Sequence, residues 1–301
     1  MRTAYLGTSE FAATVLRRLA DSPHRPALVV TPPDRRQGRG RKVSPPPAAI
    51  AAGELDLELL QAENVNEEGA LERIRAAEPE AVLVCAFGQL IREPLLSEFP
   101  ILNVHPSLLP RWRGAAPIER AIMARDETTG VCVMRLTAGL DSGPVALIEE
   151  TPIGSEEDFA SLSARLAQIG GDLLVRALDQ QAEGALEFTK QGEEGVTYAD
   201  KIEPADRRLD PARPAVELAA KVRALAPHVG VYLETASGER LAVKEAHEVA
   251  ADVPQGTLEV RDGALVLGCG EGALQLDVVQ PPGGKAMPAD AYLRGHEPPR
   301  L

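Results

Sequence analysis

The order of apolar runs predicts an α/β fold with a mostly parallel sheet, followed by a small β-barrel. Three observations carry that prediction. Strand-type runs alternate with helical-period segments through the first part of the chain. The run Ala81-Val-Leu-Val-Cys-Ala-Phe87 is apolar throughout, as suits a strand covered on both faces. Past residue 226 the pattern changes to short β-type runs about ten residues apart with glycine turns between them. The 301 residues give room for two domains of about 150 residues each.

Taken in order, Thr3–Gly7 reads as a buried strand that turns at Gly7-Thr8-Ser9. Phe11, Val15, Leu16 and Leu19 follow at helical spacing, and Ala27–Thr31 reads as the next strand. A helix carrying Leu71 and Ile74 precedes Ala81–Phe87, and Ile101–His105 is a further strand. This alternation implies a Rossmann-like, mostly parallel sheet with helices on both faces. Ser155 with Asp158 looks like a capping box opening a long helix over about 158–181. Residues 1–184 are therefore expected to form the first domain. Residues 185–203, with Gly192 and Gly195 among charges, are expected to form a linker. In residues 204–301 a helix near 214–226 precedes runs at 229–235, 240–249, 256–261, 264–267 and 273–279, the pattern of a small OB-like barrel.

Composition narrows the function. With 32 basic and 45 acidic residues the net charge is −13, which rules out a polybasic nucleic-acid binder but leaves room for a local basic patch. Five Phe, four Tyr and one Trp are too few for a single-strand stacking platform. Cys85, Cys132 and Cys269 lack CxxC spacing, and the histidines lack HExxH, so neither a disulfide framework nor a metal site is expected. No apolar run reaches the roughly 18–20 residues of a spanning helix, and the chain reads as a soluble protein of a reducing compartment. Gly7-Thr8-Ser9 is not GxGxxG, which argues against a dinucleotide-dependent dehydrogenase.

The residues best placed for chemistry lie in Asn103-Val-His105-Pro-Ser-Leu-Leu-Pro-Arg-Trp-Arg-Gly114. Asn103 and His105, two apart at a strand end, share one face. Ligands of open parallel sheets sit beyond such ends. A carboxamide beside an imidazole suits acyl transfer, since one can donate to an oxyanion while the other handles the proton. The same pair could simply end a strand by bonding to a turn. Asp141, within Ala138-Gly-Leu-Asp-Ser-Gly-Pro144, is the candidate to orient His105, although Asp between glycines is also ordinary turn chemistry. The loop Pro33–Lys42 sets Arg35, Arg36, Arg39, Arg41 and Lys42 against Asp34 alone, a basic cluster on an acidic chain.

At these residues the chain resembles the methionyl-tRNA formyltransferases, within the 10-formyltetrahydrofolate transferase superfamily, and the likeness runs over essentially its whole length. Gly7-Thr-Ser-Glu-Phe11, the arginine loop, Cys85-Ala-Phe-Gly-Gln-Leu-Ile91, Asn103–Arg113, Gly114-Ala-Ala-Pro-Ile118, Gly139-Leu-Asp-Ser-Gly143 and Val196-Thr-Tyr-Ala-Asp-Lys201 carry it. Pro106, where some members have Gly, is a small departure.

The resemblance implies that Asn103, His105 and Asp141 form the catalytic trio. It implies a folate site at Phe87, Gly88, Gln89 and Leu90 and at Ser107, Leu108, Leu109 and Pro110. The reaction expected is transfer of a formyl group from 10-formyltetrahydrofolate, a co-substrate, to the α-amine of methionyl initiator tRNA for translation initiation. No metal, no membrane, a cytoplasmic location and a monomeric state go with it. A superfamily enzyme acting on a small amine is the alternative, but it leaves the arginine loop and the barrel without a role. For tRNA the expected contacts are Arg36, Arg39, Arg41 and Lys42 of the loop, and Arg207, Arg208, Lys221 and Arg223 of the barrel domain. Residues 204–301 hold eleven basic and fourteen acidic side chains, so that part is near neutral while most negative charge lies before it.

Overall fold

The computed structural model describes residues 1–37 and 42–301. In chain order the elements begin with β1 (Thr3–Gly7), α1 (Glu10–Ala20), β2 (Pro26–Thr31), β3 (Arg35–Gln37), β4 (Lys42–Ser44), α2 (Pro47–Glu54), β5 (Leu59–Gln61) and α3 (Glu68–Ala76). Then come β6 (Ala81–Cys85), α4 (Leu95–Glu98), β7 (Ile101–His105), β8 (Arg113–Gly114), α5 (Pro117–Ala124), β9 (Thr128–Arg135), β10 (Val145–Pro152), α6 (Phe159–Ala182) and β11 (Tyr198–Ala199). The chain continues through α7 (Ala215–Leu225), β12 (Val231–Glu234), β13 (Arg240–Val249), β14 (Leu258–Arg261), β15 (Ala264–Gly268), β16 (Ala273–Gln280), β17 (Met287–Pro288) and α8 (Ala289–Leu293). Backbone packing divides it into two compact units. The first holds Met1–Gly114, Thr128–Pro152 and Ser163–Tyr198; the second holds Ala115–Glu127, Ile153–Leu162 and Ala199–Leu301.

The first unit is a seven-stranded sheet in the order β10-β9-β7-β6-β1-β2-β5. β1, β2, β5, β6, β7 and β10 run in one direction, and β9 alone runs antiparallel, between β7 and β10. From β1 the chain first builds outward through β2 and β5, then returns to β6 on the other side. That reversal opens a crevice at the carboxyl ends of β1 and β6. One face, carrying Ala4, Leu6, Leu28, Val30, Val82 and Val84, buries against Leu71, Ile74 and Leu95. On the other, Gly170 of α6 lies so close that a Cβ there would meet the Val104 side chain at 2.9 Å.

Local signals explain most ends. Ser9 caps α1, accepting from the Ala12 N–H, with Glu10 in the first turn and Arg17 and Arg18 in the last, as the helix dipole favours. α2 opens on Pro47, whose missing N–H costs nothing at that position. The capping box of α6 differs from the sequence expectation: Asp158 is the cap, accepting from the Ser161 N–H at 2.9 Å, while Ser161 Oγ accepts the Asp158 N–H at 3.2 Å. Ser155 lies one turn too early. The ends of the arginine loop form a β3–β4 hairpin, pairing Arg35 with Ser44 and Arg36 with Val43.

The second unit holds a six-stranded antiparallel sheet, β12-β13-β16-β15-β14 with β17 beside β16, and α7 packs on β13 and β16. α5 packs on α7, where His228 lies 3.0 Å from Glu119 and stacks on Phe159. No described helix is long and apolar enough to cross a membrane.

All three cysteines are buried and free. Burial pushes the Cys85 thiol up to about 12 and the Cys132 and Cys269 thiols up to about 11. Unfolded thiols ionise near 8.5, so the native state holds more protons than the unfolded one above that pH, and stability falls as pH rises. Native protein at pH 8 should resist iodoacetamide at all three thiols and react fully once unfolded. Its unfolding free energy, read from urea titration, should decline between pH 9 and 11, by up to about 1.4 kcal/mol per thiol per pH unit.

Candidate active site

Register builds the site. Asn103 pairs with Val84 and Met134, and His105 with Cys132, so both polar side chains share the sheet face that carries Val82 and Val84. Asn103 is 8% exposed and His105 4%. The chain then folds back over the strand end: Ser107 donates its hydroxyl to the Arg111 carbonyl at 2.6 Å, and Leu109 seats on Cys132, Met134 and Val145. This fold carries Trp112 to His105, where the ring Nε2 lies 2.9 Å from the Trp112 carbonyl. A carbonyl only accepts, so Nε2 bears the hydrogen and Nδ1 is the edge turned to the site.

Nδ1 faces Asp141 Oδ2 at 3.7 Å. Asp141 arrives by an indirect route. β9 runs against β7, and the Leu136 N–H donates to the Ile101 carbonyl, so the β9–β10 connection starts at the amino end of β7. It has to arch back across the sheet face for Asp141 to meet His105 at the carboxyl end. Gly143 makes the arch possible, because a Cβ there would fall 1.9 Å from the Arg135 carbonyl oxygen. Oδ2 of Asp141 also accepts the Gly114 N–H at 2.8 Å. Ala86, Trp112 and Asp141, at φ 43°, 63° and 41°, all take a left-handed backbone that non-glycine residues rarely adopt. Such outliers gather at functional sites.

Among the described residues the Asn103 carboxamide has no hydrogen-bond partner, which leaves its donor for a ligand. At the neighbouring crevice Thr8 donates its hydroxyl to the Phe87 carbonyl at 2.5 Å, tying the ends of β1 and β6 together. Phe87 is buried in the core, Gly88 and Leu90 are exposed, and Gln89 donates to the Ala62 carbonyl while accepting the Val65 N–H. Leu108 and Pro110 are half-buried, whereas Ser107 and Leu109 are turned inward.

The basic residues divide differently. Arg36 is exposed on the hairpin, whereas Arg39 and Arg41 lie outside the described residues, as does the side chain of Lys42. In the second unit Arg207 donates to the Gly230 carbonyl, and Arg208 lies 3.4 Å from Glu234. Burial pushes the Lys221 ammonium below its usual range, against the pull of Asp206 and Asp210. Arg223 keeps a buried Nε that has no partner.

Sequence reasoning missed four contributors. The Trp112 carbonyl and Gly114 N–H are backbone groups without a residue signature. Gln191 and Thr197 fall in the stretch read as a linker, yet Thr197 Oγ1 accepts the Trp112 N–H at 2.9 Å. Among the described residues no cluster of three or more His, Cys, Asp or Glu could hold a metal.

Residues 1–178 match the formyl transferase family and residues 201–297 the formyl transferase C-terminal domain. A methionyl-tRNA formyltransferase of Halorhodospira halophila is 43% identical over 300 residues, covering 98% of this chain and 96% of that protein. One of Ruegeria pomeroyi is 42% identical over 303 residues, covering 100% and 99%. Among solved structures, HypX from Aquifex aeolicus in complex with tetrahydrofolic acid has a TM-score of 0.67 at 18% identity, covering 100% of this chain and 49% of that one. A methionyl-tRNA formyltransferase from Clostridium thermocellum has a TM-score of 0.58 at 13% identity, covering 83% and 94%. At such identities the structural likeness speaks for the fold alone.

The Ser107 hydroxyl is fully buried and spent on the turn that aims Trp112 at His105. Ser107→Ala should lower the unfolding free energy by about 1–3 kcal/mol, read from urea titration, because a part-buried acceptor loses its donor.

Proposed function

We propose, from the premise that the chain belongs to the methionyl-tRNA formyltransferases, that Asn103, His105 and Asp141 carry its reaction. The enzyme is a folate-dependent formyltransferase acting on methionyl-tRNA. In our reading the donor is 10-formyltetrahydrofolate, the acceptor is the α-amine of methionyl initiator tRNA, and the protein works as a cytoplasmic monomer without a metal.

An α-amine with a pKa near 7.7–8.0 is already unprotonated in a fraction of roughly 10–20% at pH 7, so strong base activation is unnecessary. The demanding steps are holding the oxyanion formed when the amine adds to the formyl carbon, and returning a proton to the leaving nitrogen. The Asn103 carboxamide donates to the oxyanion. His105 donates through Nδ1 when that nitrogen carries a proton, and Asp141 Oδ2 stabilises the charged ring from 3.7 Å. The Trp112 carbonyl holds Nε2 and keeps the ring from turning away. As amine becomes amide, its proton leaves through the His105–Asp141 pair and reaches the folate nitrogen as the carbon–nitrogen bond breaks. What carries this reading is the approach of Nδ1 to Asp141 beside a carboxamide without a partner.

The folate fits the crevice at the ends of β1 and β6. There the backbone groups of the exposed residues Ala86 and Gly88 can read the donors and acceptors of a pterin, with Leu90, Leu108 and Pro110 as apolar wall. Phe87, Gln89, Ser107 and Leu109 support that wall from beneath. We assign catalysis to residues 1–184, connection to 185–203 and tRNA binding to 204–301, the last with Arg207, Arg208, Lys221 and Arg223 among its contacts.

Purified protein given the formyl donor should formylate charged initiator methionyl-tRNA and neglect the elongator. Asn103→Ala should reduce turnover about 10²–10³-fold at saturating substrates, and near-wild-type turnover would refute the oxyanion role. Neutralising Arg36, Arg39 and Arg41 together should flatten the slope of log affinity for tRNA against log salt by about 2 to 3. An unchanged slope would remove the loop from the phosphate contacts.

A further inference from the structure

We propose that Gln191 is a positioning residue: its carboxamide fixes the backbone arch that aims Asp141 at His105. The inference rests on the role given to Asp141 above. Nε2 of Gln191 donates to the Asp141 carbonyl at 2.8 Å and to the Gly143 carbonyl at 2.7 Å. Its Oε1 accepts from Arg113 Nε at 3.0 Å and Nη2 at 2.7 Å. A primary carboxamide has two N–H donors and two acceptor sites, and all four are used. The fixed donors of Arg113 on one side and two carbonyls on the other also leave the amide a single orientation.

The arch needs such a tie. It departs from the amino end of β7, turns back over the sheet face and holds Asp141 at φ 41°. A left-handed non-glycine residue costs on the order of 1–3 kcal/mol and persists only where its surroundings over-determine it. The carboxylate alone is not enough, since Oδ2 is shared between the Gly114 N–H and the approach to His105. Gln191 grips the main chain on both sides of Ser142 and links it to Arg113, whose neighbours Trp112 and Gly114 contact His105 and Asp141. Its own segment is anchored nearby, because Thr189 and Val145 exchange both backbone hydrogen bonds at 2.8 Å. Released from Gln191, the arch can relax and draw the carboxylate away, and a displacement of about 1 Å in a catalytic group costs about 10²-fold.

The test is a double-mutant cycle under single-turnover conditions with the full chain. Gln191→Glu keeps the shape and the contact to Arg113 but cannot donate to the two carbonyls; Gln191→Ala removes both. Each should lower the transfer rate about 10- to 100-fold while KM for the formyl donor and for methionyl-tRNA stays within about threefold. In an Asp141→Ala background, Gln191→Ala should cause no further loss, because its effect passes through Asp141. A wild-type rate in Gln191→Glu, or losses from Gln191→Ala and Asp141→Ala that multiply, would overturn the inference while leaving Asp141 in place. A wild-type rate in Asp141→Ala would instead overturn the reading of the site itself.

Discussion

One buried imidazole held at two edges is the constraint on which the site depends. His105 can neither spin nor exchange tautomers freely, because the Trp112 carbonyl takes the hydrogen of Nε2 and Asp141 faces Nδ1. Each partner stands in a left-handed backbone conformation. Strain of that kind is kept only where other interactions exceed it. Here those are backbone and side-chain hydrogen bonds: the Trp112 N–H to Thr197, the Gly114 N–H to Asp141, and Ser107 to the Arg111 carbonyl. At a net gain of about 1 kcal/mol each, these do not by themselves cover two left-handed residues at about 1–3 kcal/mol apiece, and the bonds from Gln191 to the Asp141 and Gly143 carbonyls add to them.

The sheet explains why strained loops are needed at all. A purely parallel sheet would present every connection following a strand at the same edge, and a carboxylate could be delivered by a short turn. β9 runs antiparallel to β7, so the segment after it begins at the far edge. The arch back across the face is long enough to drift, and Gly143 permits it only by lacking a Cβ against the Arg135 carbonyl. What the antiparallel strand provides in return is a floor: Cys132 and Met134 lie under Leu109, next to the row that holds Asn103 and His105.

Much of this was legible from residues. β1, β2, β6 and β7 announced themselves because strands buried on both faces have nowhere to put a polar side chain. Asn103 and His105 broke that rule at the end of such a strand, and the structure keeps both on one face. The β3–β4 hairpin escaped notice because its arginines mask the strand pattern, and cross-strand pairing needs no apolar face in an exposed ribbon. The cap of α6 was misjudged by three residues: Ser155 and Asp158 have the same spacing as Asp158 and Ser161, and only geometry distinguishes them. Gln191 was invisible for a different reason. Its partners are carbonyls about 50 residues away in the chain, and a carbonyl carries no residue identity. Polar residues among glycines look like a linker whether or not they clasp a loop.

Charge poses the last question, since a protein of net charge −13 has to receive a polyanion. With a screening length near 8 Å at physiological salt, what counts is which cations remain available, not the total. Among the described residues Arg36 has no ion-pair partner and is exposed. Arg208 is committed to Glu234, but an exposed pair of that sort is worth only about 0–1 kcal/mol, so a phosphate can displace the carboxylate at little cost. Lys221 is different, because burial disfavours its charged form and its ammonium already donates to the Arg208 carbonyl at 3.3 Å. The physics therefore ranks the basic side chains: hairpin arginine first, loosely paired Arg208 next, half-buried Lys221 last. On the proposed reading, an acidic chain holds a polyanion through exposed cations such as Arg36 while its remaining surface repels the rest.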